Sequence, residues 1–365
     1  MADSTMTFAG LDVHARSVRL AAVRSERLVG ELTVAAEVGV IERELRRLGV
    51  DLCCYEAGPT GFGLSRDLNV AGIACEVVAP SLIPVRPGER VKTDRRDARR
   101  LAQLLAGGLL EFVWVPPRDI EALRDLVRAR EDARADRMRA RQRLGSFLLR
   151  HGQLMPTTTW GVTRREWLGR RTFDASWQQA ACDDYLLTLD LADRRIERLG
   201  DEMAMAAADG PYRDTVARLR CLRGVDTLTA LGLVAEIGDF TRFPKAQTLM
   251  SYVGLVPSER SSGQRRRQGS ITKTGNGHAR RLLVEAAWNA RRRPRGSYEI
   301  QRRRQGQDPS AVARAIFCEM RLHRRWLRMS SRGKPTPTIA VAVARELCGF
   351  VWAIATDQPL RHQDS

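Results

Sequence analysis

Thr7-Phe-Ala-Gly-Leu-Asp-Val13 is a short apolar strand with one carboxylate inside it, Asp12. A charge in a buried strand is unusual and needs a reason. The oddity recurs in Asp51-Leu-Cys-Cys-Tyr-Glu-Ala57, a second apolar strand with Glu56 near its end, closed by Gly58-Pro59. It recurs again in Val91-Lys-Thr-Asp-Arg-Arg-Asp-Ala-Arg-Arg-Leu-Ala-Gln-Leu-Leu105. There Asp94 and Asp97 precede an apolar spacing (Ala98, Leu101, Ala102, Leu104, Leu105) that reads as a helix start. Residues three apart share a helix face, so the two carboxylates point the same way. Each site has a plain reading of its own: a capping pair for Asp94 and Asp97, a strand-end turn for Asp12, an N-cap or loop ion pair for Glu56. Asp51, at a strand start, and Asp67, in mid-helix, compete with them and read as surface charges.

The elements around these carboxylates follow in a definite order. Strands at Ser17–Val23 and Leu28–Ala35 continue from the first as an antiparallel meander. A helix at Val38–Leu48 precedes the Glu56 strand. A helix at Phe62–Val70, a strand at Ala74–Val78 and a Pro-rich loop at Pro80–Pro87 lead into the Asp94 helix. Carboxylates on the first strand, the fourth strand and the last helix resemble the α/β ribonuclease-H-like fold of RuvC-type nucleases. If the first and fourth strands are neighbours, Asp12 and Glu56 meet, and the helix brings Asp94 and Asp97 to the same point. Four converging carboxylates call for cations, and hard oxygen ligands suit Mg²⁺. Two ions about 3.5–4 Å apart would serve phosphoryl transfer.

Composition agrees with a polyanion partner. The 365 residues carry 61 Lys and Arg against 43 Asp and Glu, a net charge of +18. Most of the excess is Arg, which grips phosphate in a bidentate fork. Nucleic acid is the default partner for such a chain. No run of 18 apolar residues suggests a membrane span, and the first residues do not read as a signal peptide. The seven scattered cysteines suggest reduced core thiols in a cytosolic protein, with no disulfide frame or zinc site.

Past residue 116 the character changes. Asp119–Arg150 and Cys182–Ala208 read as two long, mostly solvated helices able to pair as an antiparallel coiled coil, within the chain or between subunits. Between them Trp160, Trp167 and Trp177 suggest packing at the hairpin tip. Val216–Gly238 resembles a helix-hairpin-helix, turning at Leu222-Arg-Gly-Val225. Its turn amides and second helix start could hold a phosphate, although Asp226 stands where it would repel one. Residues 258–281 read as a basic loop holding Ser261, Ser262 and Ser270. A serine hydroxyl needs activation or a stabilised transition state to attack phosphorus, and the cations there suit that. A DNA-contact loop without chemistry is the plainer reading. Arg265, Arg266, Arg267, Lys273, Arg280, Arg281 and Arg291, Arg292 and Arg293 are candidate nucleic-acid contacts; across residues 290–335, Arg291–Arg293, Arg302–Arg304 and Arg324–Arg325 read as phosphate contacts or a solvated face, and the charge of the chain favours contacts. Thr338–Ala355 is an apolar core helix. The expected domains are 5–116, 117–210 and 211–357, with a tail at 358–365; the last domain is expected to be mainly α-helical.

Both halves together resemble the bridge-RNA-guided DEDD insertion-sequence transposases, the "IS one-ten" family. The resemblance runs from about residue 7 to 355. It rests on Gly10-Leu-Asp-Val-His14, Tyr55-Glu-Ala-Gly-Pro-Thr-Gly61, Lys92-Thr-Asp-Arg-Arg-Asp-Ala98, Ser261-Ser-Gly263 and Gly269-Ser-Ile-Thr-Lys-Thr-Gly-Asn276. It implies that Asp12, Glu56, Asp94 and Asp97 are the metal-binding tetrad of a RuvC-like domain. It implies that Ser262, with Ser261 as the fallback, is the nucleophile of a C-terminal transposase domain. The serine would form a covalent protein–DNA link, with the RuvC-like site of another subunit completing the centre. It further implies donor and target double-stranded DNA and a non-coding guide RNA as partners, a homo-oligomer (dimer or tetramer), and a cytoplasmic, nucleoid-associated protein. Two other readings stand beside it. A structure-selective RuvC-like nuclease would use only the carboxylates, and a non-enzymatic DNA-binding protein would use neither site.

Overall fold

A computed structural model describes residues 6–25, 27–84, 94–157, 159–262, 265–294 and 296–358; side chains at 94–96 and 260–268 lie outside the description. The side chains of Asp94, Ser261, Ser262, Arg265, Arg266 and Arg267 therefore fall outside it, as do residues 91–93 and the tail beyond 358. The chain divides into two compact units, Met1–Pro116 and Pro117–Ser365.

The first unit is built on β1 (Thr7–Val13), β2 (Ser17–Arg24), β3 (Arg27–Ala35), α1 (Val38–Arg47), β4 (Leu52–Glu56), α2 (Gly63–Val70), β5 (Ala74–Val78) and α3 (Asp94–Ala106). The sheet order is β3-β2-β1-β4-β5. β1 pairs antiparallel with β2 and parallel with β4, and β4 pairs parallel with β5. This mixed sheet has the ribonuclease-H-like order, and the element sequence matches the one expected. β1 and β4 are apolar on both faces through most of their length because both faces are covered. Ala9, Leu11, Cys53 and Tyr55 pack with Ile41 and Leu45 of α1 and Leu68 of α2. Phe8 and Cys54, on the other face, pack with Leu101, Ala102 and Leu105 of α3.

One glycine sets how closely α3 lies on the sheet. A Cβ on Gly10 would come within 2.1 Å of the Ala98 carbonyl oxygen and 2.6 Å of the Ala102 amide. Only hydrogen fits between the two backbones there.

The second unit is helical apart from one hairpin. α4 (Arg118–Arg150), α5 (Val162–Gly169) and α6 (Ser176–Asp209) are followed by α7 (Arg213–Leu219), α8 (Thr227–Ile237) and α9 (Ala246–Tyr252). β6 (Pro257–Ser262) and β7 (Arg265–Ile271) precede α10 (Gly277–Ala287), α11 (Tyr298–Arg304), α12 (Pro309–Ser331) and α13 (Thr336–Thr356). α4 and α6 run antiparallel: Leu144 and Phe147 pack near Cys182 and Leu189, whereas Ala133 packs near Ile196 and Leu199. Both helices also pack on α8, so they belong to the same compact unit as the helices that follow. At their far end Trp160 lies between the guanidinium groups of Arg141 and Arg164, at 4.8 and 4.5 Å. α5, which the sequence reading missed, supplies Arg164 and Trp167 to this tip. Trp177 stays 77% exposed.

α13 passes the length and composition test for a membrane span, with a mean hydropathy of 1.6 in its most apolar window, of which 67% is buried inside the protein. It packs against α7, α9, α10 and α12, as the core helix expected at Thr338–Ala355. All seven cysteines are free and buried. Two expectations need correction. Residues 258–262 and 265–271, read as parts of a loop, are antiparallel strands, with Pro257 paired to Ile271 and Ser262 to Arg265. Residues 290–335, read only for their arginines, contain the amphipathic α12, which buries Ala311, Ala315, Leu322 and Trp326.

Candidate active site

Asp12 and Glu56 come together through strand register. Leu11 stands opposite Tyr55 on the parallel pair β1–β4, so Asp12 and Glu56 are the next residue on each strand. Side chains alternate across a sheet, which puts both carboxylates on the face shared by Gly10 and Cys54, the face that α3 covers. The Asp12 side chain is 24% exposed and its Oδ2 lies 3.3 Å from Nε2 of His14. Arg19, opposite Asp12 on β2, is engaged elsewhere: it pairs with Glu31 at 3.2 Å and donates to Thr33 Oγ1 at 2.8 Å. Arg99 of α3 meets the same Glu31 at 3.0 Å.

The direction of α3 places its acidic start. Its last residues, Leu105 and Ala106, share a cluster with Met6, Phe8 and Leu52 at the beginnings of β1 and β4, while Ala98 sits over Gly10. The helix thus runs antiparallel to both strands, with its N-terminus toward their C-terminal ends. From Ala98 back to position 94 is about 6 Å along a helix. From Gly10 to Asp12 is about 6.6 Å along a strand. Position 94 therefore falls level with Asp12, and Asp97, half-buried, begins the same turn. Asp51 is set apart: its Oδ2 accepts from the Thr7 amide at 2.8 Å, at the opposite end of the sheet.

Carboxylate oxygens at the C-terminal ends of two adjacent strands are a donor set that suits a hard divalent cation. Among the described residues no group of three or more His, Cys, Asp or Glu lies close enough together to hold a metal. The fit is thus of donor chemistry and strand register.

In the second unit Ser262 pairs with Arg265 as the last rung of the β6–β7 hairpin, and Ser261 pairs with Arg266. Both serines therefore stand at its tip. Ser270 is near the base, where its carbonyl accepts from Ser258 Oγ at 2.9 Å. The cations divide. Lys273 and Arg291, Arg292 and Arg293 are exposed. Arg280 donates to the carbonyls of Val253 and Thr274, at 2.8 and 3.0 Å, and Arg281 pairs with Glu131 and Glu285. At the turn between α7 and α8, Gly224 has φ +87°. Asp226 is exposed there, and its carboxylate caps α8 by accepting from the Thr229 amide at 2.8 Å.

Residues 216–302 match the family model described as the transposase IS116/IS110/IS902 family, and residues 71–152 match a DEDD transposase model of the IS110 type. The transposase for insertion sequence element IS1533 of Leptospira borgpetersenii is 32% identical over 338 residues, 90% of this chain and 97% of that protein. The Sinorhizobium fredii protein y4qE is 40% identical over 369 residues, 98% of this chain and 90% of its own length. The chain belongs to the IS110/IS116 family of insertion-sequence transposases. A further relative, the transposase for IS1111A of Coxiella burnetii, is 24% identical over 79% of this chain and 72% of its own. A transposase cuts and rejoins DNA, so this protein is an enzyme with DNA as its substrate.

The transposase also holds a carboxylate that sequence reading missed. Glu236, in the wholly apolar second half of α8, is 0% exposed. Arg128 donates to both its oxygens, at 3.0 and 3.1 Å. Asn276 donates at 2.8 Å and His278 Nδ1 lies at 3.0 Å. Burial alone would raise this carboxyl, but the hydrogen bonds from His278, Arg128 and Asn276 outweigh it and hold it well below the usual carboxylate range. Removing one partner from a buried set of this kind costs about 3–5 kcal/mol. The available signal was the lone charge in Leu231-Gly-Leu-Val-Ala-Glu-Ile237, the same signal that singled out Asp12.

Proposed function

We propose that this transposase breaks and rejoins DNA through Ser262, with Asp12, Glu56, Asp94 and Asp97 as the Mg²⁺ site of a RuvC-like domain and a bridge RNA as guide. One observation carries the reading: Asp12 and Glu56 occupy neighbouring register positions on β1 and β4 beneath the start of α3. Two carboxylates at neighbouring strand ends are a donor set that suits a hard cation.

In this reading the Ser262 hydroxyl attacks a DNA phosphorus. The Oγ–P bond forms as the bond from phosphorus to a deoxyribose oxygen breaks; the serine gives up its proton and the departing oxygen gains one. The tetrad carboxylates would hold two Mg²⁺ ions, which neutralise the charge developing on the phosphoryl group. Lys273 and Arg291, Arg292 and Arg293 contact phosphates of the strand, with Arg265, Arg266 and Arg267 beside the serines. Base pairing with the RNA supplies most of the sequence choice, and the protein grips donor and target through their backbones. The enzyme works as a homo-oligomer, in which the RuvC-like site of another subunit completes the centre. Apolar side chains exposed along the long helices, Met138, Leu187 and Leu191, suit such association. The cytoplasm, at the nucleoid, is the proposed location.

The serine is tested by Ser262→Ala and Ser261→Ala in strand-exchange assays on the element's own ends, with covalent protein–DNA adducts resolved on denaturing gels. Loss of adduct and exchange in Ser262→Ala supports the reading. Full cleavage in both variants, with loss in Asp12→Asn, would make the protein a carboxylate-only nuclease. Sequencing the nucleic acid retained at high salt tests the guide: a single structured RNA supports it, and heterogeneous RNA refutes it.

A further inference from the structure

We propose that Glu236 is a positioning residue for the serine-bearing hairpin. The inference rests on the reading of Ser262 as nucleophile. A serine at the tip of a two-stranded hairpin can attack in line only if the base of the hairpin holds one angle, because small errors in placement cost large factors in rate.

The base is where the polar bonds concentrate. The chain enters β6 through Gly254, φ +65°, and leaves β7 through Lys273, φ +57°, and Gly275, φ +68°. A Cβ on Gly254 would lie 2.2 Å from the Thr274 oxygen, and one on Gly275 would lie 2.0 Å from the Tyr252 oxygen, so entry and exit touch backbone to backbone. Thr272 donates to Val256 at 2.9 Å, Lys273 to Gly254 at 3.2 Å and Asn276 to Tyr252 at 3.0 Å. Arg280 spans both sides by its bonds to Val253 and Thr274.

This clasp is tied to the rest of the unit through Glu236. Asn276 caps α10, accepting from the Ala279 amide at 2.9 Å, and turns its NH₂ to the Glu236 carboxylate and, at 3.3 Å, to the Glu236 carbonyl. Tyr252, the last residue before the entry side, donates to that same carbonyl at 3.3 Å. His278, two residues past the cap, meets the carboxylate from α10, and Arg128 meets it from α4. Both ends of the hairpin therefore converge on one residue of a third helix. An apolar side chain would fill the same space with no charge to satisfy; a buried ionic set contributes a defined geometry more readily than stability.

The test uses the full chain with its nucleic acid. Glu236→Gln keeps the shape but sets an amide against the Arg128 donors. Asn276→Ser keeps a capping oxygen for α10 and removes only the link to Glu236. Both are measured for the rate of covalent adduct formation, normalised to folded protein, for DNA affinity, and for amide exchange at residues 272, 273 and 276. The expected result is adduct formation slowed at least about 10-fold in Glu236→Gln and about 3-fold or more in Asn276→Ser. DNA affinity stays within twofold and exchange is faster at the clasp. Rates within twofold of the parent in both variants overturn the role. If adduct forms fully in Ser262→Ala and Ser261→Ala, the serine reading itself fails, and this role with it, even where the Glu236 variant is slow.

Discussion

Asp12 and Glu236 are the same sequence anomaly in two units, a lone carboxylate in an apolar element, and the structure treats them oppositely. Asp12 stands at a strand end, 24% exposed, beside Glu56 in register and facing the acidic start of α3. Glu236 is 0% exposed and ringed by Arg128, Asn276 and His278. Carboxylates brought to neighbouring strand ends suit a hard cation; a buried carboxylate ringed by donors fixes neighbouring segments to one another. The difference lies in what surrounds the carboxylate, and only three dimensions reveal that.

Substitutions can break or sharpen this contrast. Asp12→Asn and Glu56→Gln should each lower strand cleavage by about a thousandfold, the several kcal/mol that a metal site supplies, and leave the melting temperature unchanged or raised. A large loss of stability in either would make the strand carboxylates structural and dissolve the contrast. Glu236→Gln should show the reverse weighting, with unfolding in urea revealing a loss of about 3 kcal/mol. Its pH dependence follows from the sign of the shift. A carboxyl held below its ordinary value of 4.5 contributes stability that is complete above that value and is lost as the pH falls through the lower, folded one. The stability gap between parent and Glu236→Gln should thus stay constant from neutrality to about pH 4.5 and close only below it.

Gly10→Ala would push a Cβ against the Ala98 carbonyl. It should destabilise the first unit by about 1–3 kcal/mol and reduce cleavage by shifting α3, with DNA affinity unchanged in a filter-binding assay. The smallest effect is expected of Asp226→Ala. Losing the α8 cap costs about 1 kcal/mol, and removing an anion from a helix start should strengthen DNA binding slightly, most visibly at low salt.

The first unit was legible because its signals are local. Short apolar runs between polar links marked the strands, and carboxylates inside them marked the candidate site before any pairing was known. Short links made the first three strands a meander, whereas the pairing of the first strand with the fourth entered only as a condition and is supplied by the structure. In the second unit the charges misled. Arg303 and Arg304 look like phosphate contacts in sequence, yet they donate to the carbonyls of Val225 and Cys221, at 2.9 and 3.0 Å. Arg280 likewise holds the carbonyls of Val253 and Thr274, and Arg281 pairs with the carboxylates of Glu131 and Glu285. An arginine that holds a distant carbonyl carries no local mark of doing so, since its partner is dozens of residues away. Glu236 did carry a local mark, a lone charge in an apolar helix, but its partners, from residues 128, 276 and 278, carried none.

The antiparallel pair of α4 and α6 has a mechanical consequence. Its helices are 33 and 34 residues long, about 50 Å at 1.5 Å per residue. α8 braces them toward one end, near Val127 and Gly200, and the opposite end carries α5 and an aromatic cluster. Such a rod is a lever: tilting its braced end by about 5° carries its far end about 4 Å along an arc, comparable to the rise of one base pair of duplex.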